Sequence, residues 1–371
     1  MLLNKFILLF LVTTGFVCCQ PKEKFDWEIG ISAPKYYSSL PNVKFFYKEK
    51  QVNSVSSDFG IDPGWGETAG GYATGMEEDE VPDILYVNWD CGVDMVHYEG
   101  TFKLPRTKMV QLFNNPVKEY NQLRDYSLIV VGTAPGGNIT IWMRAGSVLT
   151  EIVKYKAKEI NKIDPYDKDR VTLWTSTGKE AKENFRYLYL HGIPYKVWEE
   201  GEKEYDYDVG FMSEGNNIFP NITTLYAKDG SWRQVFKSER NIYEYKWNSQ
   251  IDSSVSNSAK LPVQIEIQWK TISNQKINRA IIVLPKNFQQ VFLKEMGNDK
   301  KIVFKIYDNS NVGSIYLYDS KKNMKIMDFI MKDSDDETIK SYYSLPKDFE
   351  FPKWEGRENL IKPDLEFWQE K

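Results

Sequence analysis

Histidine and cysteine are scarce in this chain of 371 residues, which contains 2 His and 3 Cys. His97 and His191 lie far apart, so no histidine pair has the spacing of a zinc or copper site on one helix. Cys18, Cys19 and Cys91 form no C-x-x-C motif and no even-numbered disulfide framework. We therefore expect no metal ion and no cofactor.

An excess of one charge is also lacking, since 48 Lys and Arg residues balance 52 Asp and Glu residues to a net charge of −4. Electrostatic capture of nucleic acid needs a basic face, so we expect no nucleic-acid partner. Aromatic residues make up 15% of the chain. That content argues against a disordered chain and favours strands, where aromatic rings fit the pleated surface.

The apolar run at the N-terminus is too short for a transmembrane helix. Phe6–Val17 has 12 residues, whereas a helix needs about 20 to cross a bilayer. Lys5 precedes this run and Cys18 and Cys19 follow it, in the order of a signal peptide. A cysteine directly after a signal core resembles the acylation site of a bacterial lipoprotein.

We therefore predict that residues 1–18 are a lipoprotein signal peptide, that Cys19 is acylated, and that residues 19–24 are a short tether. Cys18 stays open as the lipidated residue, because Phe16 stands where such signals usually carry Leu. An ordinary cleaved signal with incidental cysteines is the alternative. Acylation predicts a cell-envelope location, in the outer membrane, with the membrane as a partner through the acyl chains.

The chain contains an internal repeat, and its first two pairs of matched segments share one offset. Residues 83–89 match residues 263–269, and in both segments alternate positions are apolar, as on the inner face of a strand. The residues between them in the second segment, Gln264, Glu266 and Gln268, are predicted to face solvent.

The same offset relates Leu104-Pro105 to Leu284-Pro285, and each pair opens a helix-like segment. Two further strand patterns follow in each half. We therefore predict two related domains, residues 25–210 with a glycine-rich loop at 60–75, and residues 211–371 with an aromatic C-terminal tail.

Strand signals separated by turn residues outnumber helix signals, and few strand–helix–strand units are present. The predicted fold class is mainly β with an α+β minority. It consists of two tandem, related domains, each an antiparallel sheet or sandwich with one or two short helices.

Four segments of the first domain carry a family resemblance: Phe25–Pro34, Val81–Trp89, Tyr98–Pro105 and Gly132–Gly137. On these residues the chain, over about residues 25–160, resembles a bacterial lipoprotein family catalogued as domain of unknown function 2931. The shared motifs are structural. The resemblance therefore implies a fold and brings no catalytic residue.

The glycine-rich loop is the first candidate binding site. It lacks the Lys-Ser/Thr ending of a phosphate loop and the spacing of a dinucleotide loop. Long loops often carry binding residues, so one hypothesis is that Trp65 and Tyr72 are presented to a sugar ring or a protein. The alternative is a hairpin loop whose aromatic side chains pack back onto the sheet.

Asp90, Cys91 and His97 flank a predicted turn at Gly92–Met95. Such a turn places Asp90 opposite His97 across two strands. Neighbouring strand residues point to opposite faces, so Cys91 cannot act as a nucleophile with that histidine. We predict no catalytic residue.

The leading hypothesis is a lipid-anchored, non-enzymatic envelope protein that binds a protein or a glycan. One alternative is an immunity or accessory protein that neutralises a secreted toxin. The other is a periplasmic hydrolase of envelope polymers, whose two acids would come from distant positions. The acidic runs at 77–80, 199–208 and 333–337 lack the spacing of a calcium loop and are interpreted as solvated loops.

Overall fold

A computed structural model provides the structure of this protein. It describes residues 22–69, 71–72, 78–119, 121–162, 179–213, 218–235, 252–254, 258–271, 276–297, 299–307, 312–330, 332–333 and 343–352. Cys18, Cys19 and most of the predicted C-terminal tail lie outside these residues.

The first half of the described chain holds fourteen strands and three α-helices. The strands are β1 (Lys24–Phe25), β2 (Glu28–Ser32), β3 (Ser39–Tyr47), β4 (Lys50–Ser56), β5 (Gly71–Tyr72), β6 (Asp79–Glu80), β7 (Ile84–Cys91), β8 (Val96–Lys103), β9 (Val117–Glu119), β10 (Gln122–Arg124), β11 (Leu128–Ala134), β12 (Asn138–Ala145), β13 (Val148–Lys156) and β14 (Lys158–Lys162). The helices are α1 (Arg106–Asn114), α2 (Lys179–His191) and α3 (Tyr195–Glu200).

The second half holds one described α-helix, α4 (Phe288–Glu295), and thirteen described strands. These are β15 (Glu204–Tyr205), β16 (Asp208–Ser213), β17 (Ile218–Ala227), β18 (Trp232–Val235), β19 (Asp252–Ser254), β20 (Ala259–Lys260), β21 (Pro262–Thr271), β22 (Ile277–Val283), β23 (Lys301–Ile306), β24 (Val312–Tyr318), β25 (Asn323–Ile330), β26 (Lys332–Asp333) and β27 (Tyr343–Ser344). None of the described helices is long and apolar enough to cross a membrane.

The two halves pair their strands in the same order. One sheet runs β13-β12-β11-β2-β5 in the first half and β25-β24-β23-β16-β19 in the second. The other runs β14-β8-β7-β3-β4 and β26-β22-β21-β17-β18, and the ribbon β1-β6 corresponds to the ribbon β15-β20. The predicted fold class, mainly antiparallel β with few short helices, is confirmed.

Besides the short strand β27, which runs parallel to β22, one parallel pair interrupts the antiparallel order in each half, β2 with β11 and β16 with β23. A parallel pair needs a long crossover. Here the crossover contains the second sheet and helix α1 or α4. The predicted division between residues 210 and 211 falls inside β16.

Every second side chain of the central strand β7 is buried, and these buried side chains are apolar. In β7, Leu85, Val87 and Trp89 are fully buried, as the pattern of period two predicts. They pack against the opposite sheet and against helix α1, whose residue Met109 belongs to the same core. A separate core fills the second half around Phe292 of helix α4.

The prediction that Gln264 of β21 faces solvent is wrong. This side chain is only 2% exposed, because the C-terminal end of helix α2 reaches the strand. The ring nitrogen Nε2 of His191 lies 3.0 Å from Oε1 of Gln264. Residues remote in sequence thus cover a face that alternation alone assigns to water.

Helices α2 and α3 lie at the junction of the two halves. The Tyr37 hydroxyl donates to the carbonyl oxygen of Gly192 after α2, at 2.8 Å. Trp198 of α3 donates its indole N–H to the carbonyl oxygen of Asp229 at 2.8 Å. Both side chains are buried. The Tyr37 bond therefore fixes the end of α2 within the first half, and the Trp198 bond joins α3 to the second half in a region shielded from water.

Candidate functional site

An open cleft of about 200 Å³ lies in the second half, between edge strand β18 and the ribbon β15-β20. We call it the Trp232 cleft. Its lining residues are Glu204, Tyr207, Leu225, Ala227, Ser231, Trp232, Arg233, Ser258, Ala259 and Lys260. They combine two aromatic rings, two serine hydroxyl groups, one carboxylate and two cations, so the lining is mainly polar.

The turn between β17 and β18 supports one wall of the cleft. Oδ1 of Asp229, a residue only 2% exposed, accepts bonds from the backbone N–H and the hydroxyl of Ser231, at 2.9 and 2.7 Å. Its other oxygen lies 2.5 Å from Nζ of Lys260. Both oxygens of the buried carboxylate therefore have partners, and these contacts hold Ser231 and Lys260 in place.

Glu202 stands behind this ion pair. Oε2 of Glu202 accepts the backbone N–H of Asp229 at 3.0 Å. Burial, together with the negative charge of Asp229, raises the pKa of Glu202 to about 7. The interpretation of residues 199–208 as a solvated acidic run is thus incorrect at Glu202, because the turn of the second half packs over it.

Arg233 and Tyr207 contact each other in the lining of the cleft. The guanidinium carbon of Arg233 lies over the Tyr207 ring, 5.2 Å from its centroid, within the range of a cation–π contact. The Tyr207 hydroxyl donates to the carbonyl oxygen of Lys260 at 2.8 Å. Burial raises the pKa of Tyr207 to about 12, so this hydroxyl stays protonated at neutral pH.

Trp232 forms the rim. Its indole N–H donates to the carbonyl oxygen of Pro63, in the glycine-rich loop, at 2.7 Å. Gly64 approaches the indole so closely that a Cβ atom there would lie 2.5 Å from it. The residue as a whole is 36% exposed. The first half therefore fixes the orientation of the rim residue and leaves part of the ring open to a ligand.

The first half fills the corresponding space with larger side chains. Phe45 corresponds to Leu225, because Phe45 pairs with Leu85 and Leu225 pairs with the equivalent Ile265. Trp27 corresponds to Tyr207, because each directly precedes the parallel strand of its half, β2 or β16. The rings of Trp27 and Phe45 meet edge to face at 5.6 Å, and neither is more than 1% exposed. Leu225 and Tyr207 are smaller than Phe45 and Trp27, so the second half holds less side-chain volume at this place.

The polar residues at these positions differ as well. Arg233 corresponds to Asn53, because each pairs with the equivalent residue of the neighbouring strand, Leu225 or Phe45. Lys260 of the ribbon β15-β20 corresponds to Glu80 of the ribbon β1-β6. Both positions therefore gain positive charge in the second half. The duplicated scaffold is the same, but the two copies present different chemistry at one point.

Sequence reasoning did not identify this site, although the repeat contained the signal. Tyr207, Leu225, Arg233 and Lys260 each stand at the repeat offset from their first-half counterparts. The strongest matches at this offset were apolar strand residues. The informative positions are those where the two copies carry different residues, and only the structure shows that these residues line one cleft.

Trp65, the first predicted binding residue, is 9% exposed. Its ring packs edge to face on Trp142 at 4.9 Å, and its backbone N–H donates to the carbonyl oxygen of Gly230 at 3.1 Å. The exposure that a ligand-presenting role needs is absent at Trp65, because the loop folds onto the sheet and the second half. The backbone of Tyr72 forms β5 opposite Ile29, and its side chain lies outside the described part.

The turn at Gly92–Met95 places its flanking residues as predicted. Asp90 lies opposite His97, with Oδ1 and Nδ1 2.7 Å apart. Cys91 is buried on the other face, and burial together with the nearby Asp94 raises the pKa of its thiol. A protonated, buried thiol is a poor nucleophile. No group of three or more His, Cys, Asp or Glu in the described ranges is arranged to hold a metal ion.

The comparisons with known proteins concern the first half. No curated protein and no solved structure matches the chain. One family model matches, and its match ends at residue 196, before the Trp232 cleft. Over residues 17–196 the chain matches the family described as "Protein of unknown function (DUF2931)", and its first domain is therefore similar to the members of that family.

Proposed function

We propose that this protein is a lipid-anchored component of the bacterial cell envelope that binds a glycan in the Trp232 cleft without chemical turnover. The anchor is Cys19, the second residue after the apolar signal core Phe6–Val17. The binding site is the cleft with its half-open indole and its hydroxyl groups. An indole offers a flat apolar face and, at its edge, a polar N–H.

The main support for this proposal is the difference between the two copies of the fold. A structural role is served equally well by the filled arrangement of Trp27 and Phe45. An open space lined by Arg233, Lys260 and an exposed Trp232 gives up packing that the first copy retains. Lost packing destabilises a fold, so its presence at one defined place supports a ligand-binding role.

The geometry favours binding over hydrolysis. A glycosidase needs two carboxyl groups that flank the scissile bond. Among the described residues that line the cleft, Glu204 is the one acid. Asp229 is held by Lys260 and Ser231, and Glu202 accepts a backbone N–H. We therefore expect the bound glycan to be recovered intact.

The test refills the cleft. L225F installs the side chain that the first copy has, and we expect it to abolish glycan binding while near-ultraviolet circular dichroism stays unchanged. F45L makes the reverse exchange in the first copy and serves as the matched control, which keeps full binding. Both full-length variants are titrated in detergent with a panel of envelope glycans. Equal binding by L225F and the unaltered protein would place the ligand elsewhere.

The anchor is tested separately by metabolic labelling with palmitate. We expect C19A to lose the label and to leave the membrane fraction, and C18A to keep both. Persistent labelling of C19A would assign the acylation to the other cysteine or to another residue. Release of reducing ends from any panel glycan would favour the hydrolase alternative.

A further inference from the structure

We infer that the hairpin β9-β10 is a membrane-contacting surface, whose outward face, formed by Lys118 and Leu123, lies against the lipid headgroups beside the acylated Cys19. This inference rests on the acyl anchor of the proposed function and adds to it an interaction surface for lipid. It has three supports: the position of the anchored segment, the direction in which the hairpin faces, and a difference between the two copies of the fold.

The N-terminal segment is fixed to the end of helix α1. The ring of Phe25 stacks on the ring of Phe113 at a centroid distance of 4.8 Å, and both residues are buried. Nδ2 of Asn114, the last residue of α1, donates to the carbonyl oxygen of Lys22 at 2.9 Å. Lys22 is three residues from Cys19, a stretch that spans about 11 Å at most. Acyl chains on Cys19 therefore hold this end of α1 next to the bilayer.

The hairpin begins and ends beside that segment. It follows α1 and leads into β11. The backbone N–H of Glu28, at the start of β2, donates to the carbonyl oxygen of Ser127, just before β11, at 2.8 Å. The N-terminal segment thus bonds to both flanks of the hairpin, at Asn114 and at Ser127. The hairpin and the anchor therefore lie at the same end of the first half.

One face of the hairpin packs on the protein, and the other faces outward. Oε1 of Glu119 accepts the backbone N–H of Ser147, in the turn between β12 and β13, at 2.8 Å. Neighbouring strand residues point to opposite faces, so Lys118 and Leu123, which pair across the hairpin, face away from that turn. Both are exposed. Leu123, at 73%, is the most exposed large apolar residue in the described part of the chain.

The second copy of the fold has a shorter connection at this place. Thirteen residues separate α1 from β11 in the first half, whereas five separate α4 from β23 in the second. Five residues are too few for two strands of three residues and a turn. The duplicated sheet therefore does not need the hairpin, which is inserted in the copy that carries the acyl anchor.

A lipid surface fits this face better than a protein does. A leucine side chain can enter the boundary between headgroups and acyl chains, and a neighbouring lysine can extend its ammonium group to the lipid phosphates. A stable protein interface needs about 800 Å² on each partner, far more than two side chains offer. The acyl chains alone leave the protein free to turn on the membrane, whereas a second contact fixes its orientation.

The experiment locates single fluorescent labels relative to the membrane. K118C, L123C, Q122C and F59C are prepared as full-length acylated proteins, labelled with a polarity-sensitive maleimide dye, and reconstituted in vesicles of phosphatidylethanolamine and phosphatidylglycerol. The unaltered protein is the labelling control, because its Cys91 thiol is buried. On reconstitution, we expect the emission from positions 118 and 123 to shift to shorter wavelengths and to be quenched by headgroup spin-labelled lipid.

Two positions are matched controls. Gln122 is exposed, but it pairs with Glu119 and shares the inward face of the hairpin. Phe59 is 65% exposed and precedes Ile61, which bonds to Ser39 at the end of the sheet opposite to that from which β8 leads into α1. We expect a weak response at position 122 and none at position 59.

Each other result has one meaning. Quenching at position 123 no stronger than at position 59, in a protein acylated on Cys19, overturns the contact and leaves the anchor intact. Equal quenching at positions 122 and 123 overturns the assignment of the outward face. A wavelength shift without lipid quenching shows that protein, such as a second copy, covers the hairpin, and also overturns the inference. If the unaltered protein carries no acyl chain and leaves the vesicles, the proposed anchor fails as well.

Discussion

Replacement of the half-buried Glu202 by glutamine should change how the stability of this protein depends on pH. A glutamine at this position would have nearly the same shape, and its side-chain oxygen can still accept the backbone N–H of Asp229 that Oε2 accepts now. The substitution therefore removes a titrating group and keeps the packing. Its effect should be absent where the native carboxyl is protonated in both the folded and the unfolded state.

The magnitude follows from the pKa. In the folded protein the pKa of Glu202 is raised to about 7 from the ordinary value of 4.5. Between these values the folded state holds a proton that the unfolded state has released, so stability falls as pH rises. Each pKa unit corresponds to about 1.4 kcal/mol, which gives a loss on the order of 3 kcal/mol above pH 7. E202Q should match the unaltered protein at pH 4 and exceed its stability by up to that amount at pH 8.

The assay is urea unfolding of the full-length protein, followed by tryptophan fluorescence at several pH values from 4 to 8. The informative quantity is the difference in unfolding free energy between variant and parent, since other groups cancel in it. E204Q is the control, because it removes an exposed carboxylate close to the same helix end. A difference that stays constant across this pH range, or that is largest at pH 4, would refute the assignment of a raised pKa to Glu202.

Three further predictions concern the junction of the two halves. G64A should lower the melting temperature and expose Trp232 to fluorescence quenchers, because a Cβ at this position, where φ is +118°, would lie 2.5 Å from the indole. H191Q should remove a loss of stability that the parent shows as pH falls from 6.5 to 4, since burial lowers the pKa of His191 to about 4; unchanged acid sensitivity in urea titrations would contradict this. W198F should cost about 1–3 kcal/mol of unfolding free energy, because the carbonyl oxygen of Asp229 loses its donor in a buried place.

Local patterns predicted the parts of the structure that depend on near neighbours. The alternation in residues 83–89 predicted which face of β7 is buried, and the turn at Gly92–Met95 predicted the contact of Asp90 with His97. Both follow from the geometry of a strand and a tight hairpin. The glycine-rich loop allowed two interpretations in the sequence. The packing of Trp65 on Trp142 depends on a strand that is remote along the chain, which no local pattern contains.

The sequence by itself determined the mainly β class, the internal repeat and the resemblance of residues 17–196 to a family of unknown function. Those features are written in side-chain periodicity and in matching residues. Only the tertiary structure decided that Gln264 and Glu202 are covered and that Leu225, Arg233 and Lys260 surround a cleft. Burial, pKa shifts and open volume arise where distant segments meet. In this duplicated fold, smaller side chains stand at such a meeting point in the second copy, where the proposed binding cleft lies.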